Sequence, residues 1–94
     1  MIRLNCFLQV SEENRKEVLD AAKRLTDASL KQDGCIAYDI FESATRKDVL
    51  MFCETWRDEY ALKAHGESEE FKKEVAIIHG LAKMKLEKFD FPTK

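Results

Sequence analysis

The side chain best suited to moving protons near neutral pH is an imidazole, and His65 closes a short helix-forming stretch that opens at Asp58. Its structural alternative is a cap, the ring donating to free carbonyls at the helix end; His79, beside Gly80, reads as such a cap. Glu54 lies in a largely apolar run, Val49 to Trp56. A carboxylate there needs a partner, and Arg3, Arg57 or a backbone donor would make it structural. Burial would instead raise its pKa and make it a proton acceptor. Asn5 offers an amide donor that does not titrate, fit to hold an enolate or phenolate oxygen, or else a polar group facing water. The Tyr38 hydroxyl could orient a phenolic or carbonyl oxygen, or simply be satisfied within packing. Trp56 and Phe71 are candidate aromatic walls, with core or dimer packing as the alternative.

The background to these groups is an ordinary soluble composition. The chain has 94 residues, 45% hydrophobic and 36% charged, with a formal net charge of −2. No basic stripe invites nucleic acid, and the apolar runs are too short to span a membrane. The N-terminus lacks the apolar core of a signal peptide, so cytoplasmic location is expected. Cys6, Cys35 and Cys53 are scattered singly, which argues against a disulfide framework and for small buried side chains. With no CxxC pair and distant histidines, no metal site is expected, and no GxGxxG or P-loop announces a cofactor.

The elements that must position these groups follow from periodicity. Ile2 to Val10 alternates as a strand. Ser11 then caps an amphipathic helix carrying Val18, Ala21, Ala22, Leu25 and Ala28 on one stripe, which Asp33-Gly34 stops. Cys35 to Glu42 is a second strand. Residues 43–48 form a polar hairpin connection, and Val49 to Trp56 a third strand. Because that third strand is apolar on both faces, one helix layer cannot cover it, and a partner sheet is implied. Asp58 caps a short helix through about His65; Ser68 caps another, with Phe71, Val75 and Ile78 on one stripe, that Gly80 ends. Ala82 to Phe91 is the last strand, where Phe89 and Phe91 break the parity of Ala82, Met84 and Leu86 and predict a bulge near Glu87-Lys88. The order predicts one α+β domain over residues 1–94, a ferredoxin-like split βαβ with a four-stranded antiparallel sheet and helices on one face.

Gly34-Cys35-Ile36-Ala37-Tyr38-Asp39-Ile40-Phe41 resembles the G-C-x-x-Y-x-hydrophobic strand of the antibiotic biosynthesis monooxygenase family. Glu54-Thr55-Trp56 resembles that family's E-x-W, and Asp58, Ala61, Leu62, Ala64 and His65 its following D-x-x-A-L-x-x-H segment, with Ser68 and Phe71 after it. The resemblance covers residues 34 to about 75. It implies a homodimeric α+β barrel, the two sheets packed face to face, with a pocket between sheet and helices in each subunit. It also implies a strand-one asparagine, here Asn5, that contacts substrate or oxygen. Haem-degrading relatives carry a tryptophan where His65 stands and an axial histidine where this chain has Val75, so haem degradation is disfavoured.

The leading expectation is a cofactor-independent monooxygenase of a quinol, phenol or anthrone. In it His65 and Asn5 are catalytic, and Tyr38, Glu54, Trp56 and Phe71 bind substrate. Two rivals are an isomerase of a small carbonyl compound, phosphorylated or not, in which His65 and Glu54 move protons and Arg3, Arg57 or Lys63 would hold a phosphate, and a non-catalytic small-molecule-binding dimer.

Overall fold

The computed structural model describes residues 1–92. Its elements run β1 (Ile2–Val10), α1 (Glu12–Leu30), β2 (Cys35–Glu42), β3 (Val49–Trp56), α2 (Glu59–Glu67), α3 (Glu69–Leu81) and β4 (Ala82–Asp90). The strands pair antiparallel in the order β2-β3-β1-β4, the ferredoxin-like arrangement expected. Alternation decides which side of the sheet is covered. Ile2, Leu4, Cys6, Leu8 and Val10 of β1 are buried together with Leu50, Phe52 and Trp56 of β3. Against them lie Val18, Ala21, Ala22 and Leu25 of α1 and Ile78 of α3. The paired alanines carry no bulk and let α1 lie close to the sheet. Arg24 of α1 grips Glu74 of α3 through three N–H···O contacts of 3.0 to 3.2 Å, tying the two long helices together.

Local chemistry accounts for the boundaries. The Asp58 carboxylate accepts from the backbone N–H of Ala61 at 2.8 Å, and Ser68 Oγ accepts from that of Phe71 at 3.2 Å, each a helix N-cap. Ser11 precedes α1 without a side-chain cap bond. The 43–48 connection dispenses with glycine and proline because Ser43 Oγ accepts from the N–H groups of Thr45 and Arg46. Gly80 does not end α3, which continues to Leu81 before β4 begins.

The bulge expected near Glu87-Lys88 is not there. β1 and β4 pair without a break from Ile2↔Asp90 to Val10↔Ala82. Phe89, opposite Arg3, therefore points away from the helices and is 45% exposed. Parity does not reveal a bulge here because the far face of this sheet is also apolar in part. A row runs Phe41, Met51, Phe7 across β2, β3 and β1, with Val49 nearby. The real irregularity lies in β2, where the register shifts between Cys35 and Ala37.

Candidate active site

Same-face positions on four strands build the floor of a cavity of about 410 Å³. Leu4 stands opposite both Glu54 and Lys88, Cys6 opposite both Phe52 and Leu86, and Tyr38 opposite Glu54. Leu25 of α1, Leu62 and His65 of α2, and Phe71 and Val75 of α3 form the roof. The lining is mostly apolar, and its volume falls in the ~300–1,000 Å³ range of small-molecule sites. It is most exposed along β4, at Leu86 and at Lys88, whose ammonium pairs with Glu59 at the start of α2.

Gly34 sets the placement of the roof helix. It has φ +84°, and a Cβ there would lie 2.4 Å from the Cβ of Ala61. Its carbonyl also accepts from the N–H of Arg57 at 2.8 Å, stitching the start of β2 to the end of β3. One helical turn beyond Ala61, His65 is carried into the roof and is 2% exposed. The cap role is not its own: the His65 carbonyl accepts from Ser68 Oγ at 2.7 Å and from the Ser68 N–H at 3.1 Å.

His65 sits in a cage of rings. Its centroid lies 4.5 Å from that of Trp56, 4.9 Å from Phe71 and 5.5 Å from Tyr38. Its Nδ1 is 2.7 Å from Gln32 Oε1, and its Nε2 is 3.9 Å from Glu54 Oε1. Nε2 is buried and makes no hydrogen bond. Burial holds the imidazole pKa down, to about 4, so the ring is neutral across the physiological range.

Glu54 is 6% exposed. Removal from water pushes its carboxyl up to about 7, against the hydrogen bonds of Trp56 and Tyr38 that favour the charged form. The Trp56 indole N–H donates to Glu54 Oε1 at 2.9 Å. Neither expected arginine is its partner. Arg3 is on the far face and donates to Cys53 Sγ at 3.3 Å, while Arg57 pairs with Asp33 and Asp58. A buried carboxyl that ionises near neutrality is suited to accept a proton from a bound molecule.

Of the candidate site residues, Tyr38, Glu54, His65 and Phe71 meet on this cavity. Trp56 is fully buried behind Glu54 and His65 and holds the carboxyl instead of forming a wall. Asn5 alternates to the opposite side of the sheet, paired with Cys53 and Glu87, so within one chain it does not reach the cavity. Gln32 and Lys88 were not anticipated. Gln32 lies in the turn after α1, where no periodicity signals a contact with a residue on α2; Lys88 was hidden by the supposed bulge. Among the described residues no three His, Cys, Asp or Glu side chains gather as a metal site, and no helix is long and apolar enough to cross a membrane.

Fold and site together define a small ferredoxin-like α+β protein with an apolar cavity ending in a carboxyl–imidazole pair. Residues 1–76 match the family model of the antibiotic biosynthesis monooxygenases, and the chain belongs to that family. It is 36% identical over 76 residues to the Bacillus subtilis (strain 168) protein named "Putative monooxygenase YcnE", covering 81% of this chain and 80% of that one. A crystal structure of a conserved Bacteroides thetaiotaomicron VPI-5482 protein, described as a possible oxidoreductase, is 57% identical, with TM-score 0.94 and 96% of each chain covered. A conserved Methanosarcina mazei Go1 protein is 27% identical, with TM-score 0.90 over 94% of this chain and 89% of its own. The family and these names point to an oxidoreductase.

Proposed function

We propose that this protein is a cofactor-independent monooxygenase that oxidises a quinol or a phenolic, anthrone-like compound with O2 in the cavity under α2. The observation that carries the reading is the buried Glu54–His65 pair at the polar end of an otherwise apolar cavity. The Glu54 carboxylate takes a proton from the bound substrate. The resulting electron-rich anion reduces O2 by one electron, and the two radicals join through a new C–O bond. Cleavage of the O–O bond then leaves a carbonyl on carbon. For a CH2 carbon the balance is CH2 + O2 → C=O + H2O, all four electrons coming from the substrate. Tyr38 and Phe71 orient the ring, and the apolar walls keep bulk water from the anion. Asn5, on the open sheet face, is assigned instead to the interface of a homodimer in which two such faces pack together.

Supporting the oxygenase over the isomerase is the placement of the cations. Arg3 faces away from the cavity, Arg57 is held by two aspartates, and neither it nor the exposed Lys63 lines the cavity; Lys88 lines it alone and is paired with Glu59, so among the described residues no cation cluster is assembled for a phosphorylated substrate. The test is oxygen uptake by metal-stripped protein over a panel of quinols and anthrones, with Glu54→Gln and His65→Ala as controls. Uptake above substrate auto-oxidation, lost in both variants, is expected. Turnover that continues without oxygen would favour the isomerase, and tight binding with no turnover the non-catalytic dimer.

A further inference from the structure

His65 borders two spaces. Its Nε2 side faces the main cavity and Glu54; its Nδ1 side faces a separate cleft of about 300 Å³ lined by Gln32, Asp33, Tyr60 and Ser68. A carboxamide oxygen can only accept, so the 2.7 Å contact to Gln32 Oε1 puts the ring proton on Nδ1. A neutral imidazole then presents a bare lone pair at Nε2, which agrees with that atom having no partner in the protein.

From this geometry we infer that Gln32 is a positioning residue: by holding the ring proton on Nδ1, it denies Glu54 the donor that the opposite tautomer would supply. The inference rests on the reading of Glu54 as the proton acceptor. With Nε2–H instead, the imidazole would donate to the carboxylate, stabilise its charge and weaken it as a base. With Nε2 bare, the carboxylate faces a lone pair beside the Trp56 N–H that already donates to its Oε1, and a substrate hydroxyl entering between the two groups can give its proton to the carboxylate. Of the other groups around Glu54, the Trp56 N–H and the Tyr38 hydroxyl favour the carboxylate whichever His65 nitrogen carries the proton. Cys6 and Cys35 are neutral thiols raised in pKa by burial, Cys6 to about 11, and burial likewise keeps the Tyr38 phenol protonated. Lys88 at the mouth is paired with Glu59, and the parts of α1 and α3 that line the cavity, Leu25, Phe71 and Val75, carry no charge.

The ring proton can be located without substrate, so this inference and the oxygenase reading fail separately. The protein has two histidines, which makes nitrogen-15 labelling of the imidazoles simple to assign with a His79→Gln variant. Near neutral pH the wild-type His65 is expected to be protonated at Nδ1 and bare at Nε2. Gln32→Leu moves the proton to Nε2 and lowers the Glu54 titration midpoint, followed by carbon-13 in the side-chain carboxyl, by about one pH unit or more. Gln32→Glu, which keeps an acceptor, retains the Nδ1 proton. A wild-type ring bare at Nδ1 overturns the inference. So does a Gln32→Leu protein in which either the ring proton or the Glu54 midpoint stays where it was.

Discussion

Glu54 and His65 respond to burial in opposite senses, and the consequences for pH can be worked through with sign. The Glu54 carboxyl is raised from 4.5 to about 7, so between those values the folded state binds more protons than the unfolded one, and stability falls as pH rises. The His65 ring is lowered from 6.5 to about 4, so in that window the folded state binds fewer, and stability rises with pH. In the wild type the two slopes offset each other; single variants separate them. Relative to wild type, Glu54→Gln should gain stability as pH rises from about 4.5 to 7, and His65→Phe should lose it from about 4 to 6.5, each slope approaching ~1.4 kcal/mol per pH unit. Denaturant titrations at several pH values check this, and parallel profiles in all three proteins would contradict it. With Glu54 as the proposed proton acceptor, kcat/KM should climb about tenfold per pH unit below about 7 and level above it. Trp56→Phe removes the N–H that favours the carboxylate. Its profile should move to higher pH, and an unmoved profile would mean that the indole only fills space.

Among the elements, α2 is the part whose position the site depends on, because it brings His65 over Glu54. Its seat is Gly34. Gly34→Ala forces both a left-handed backbone and a clash with Ala61, and a destabilisation of about 1–3 kcal/mol is expected. Because the displaced element carries His65, activity should fall more than the folded fraction does; denaturant midpoints and kcat/KM measured together would show this. Equal losses in both would mean that α2 stays in place. The order of elements was legible because strands alternate and helices repeat on one stripe, and Asp58 and Ser68 announced their caps. The end of β4 was misread because outward Phe89 looked like a helix-side residue out of step. Tyr38, Glu54, His65 and Phe71 could be found because each has a chemical type worth asking about at a set place on an element. Gln32 could not: its turn lies between elements, and its contact with His65 spans 33 positions, beyond any local pattern.

For the whole molecule, the outstanding feature is the uncovered sheet face. Phe41 and Phe89 are 49% and 45% exposed, and the Phe41–Met51–Phe7 row lies among Val49, Cys53 and Asn5. Sheets pack on sheets through such a face, and a chain this small gains much of its buried area by doing so. Sedimentation at micromolar concentration should therefore give a dimer, and Phe7→Glu, which sets a carboxylate in the middle of the row, should shift it to monomer. A wild-type monomer, or a dimer indifferent to Phe7→Glu, would mean that something else covers the face. The side chains described around the cavity all come from one chain, so a monomeric variant should keep its affinity for a small-molecule ligand while losing stability.

In the proposed reaction a buried carboxylate beside a neutral imidazole lets O2 attack an organic substrate unaided. This is tested most directly by running metal-stripped wild type and Glu54→Gln under oxygen-18 gas with a quinol or anthrone and weighing the product. The wild type should place one labelled atom in each product molecule and the second in water, at a rate well above buffer, and Glu54→Gln should fall to the buffer rate. Equal rates in the two proteins, or a product oxygen drawn from water, would rule this reaction out.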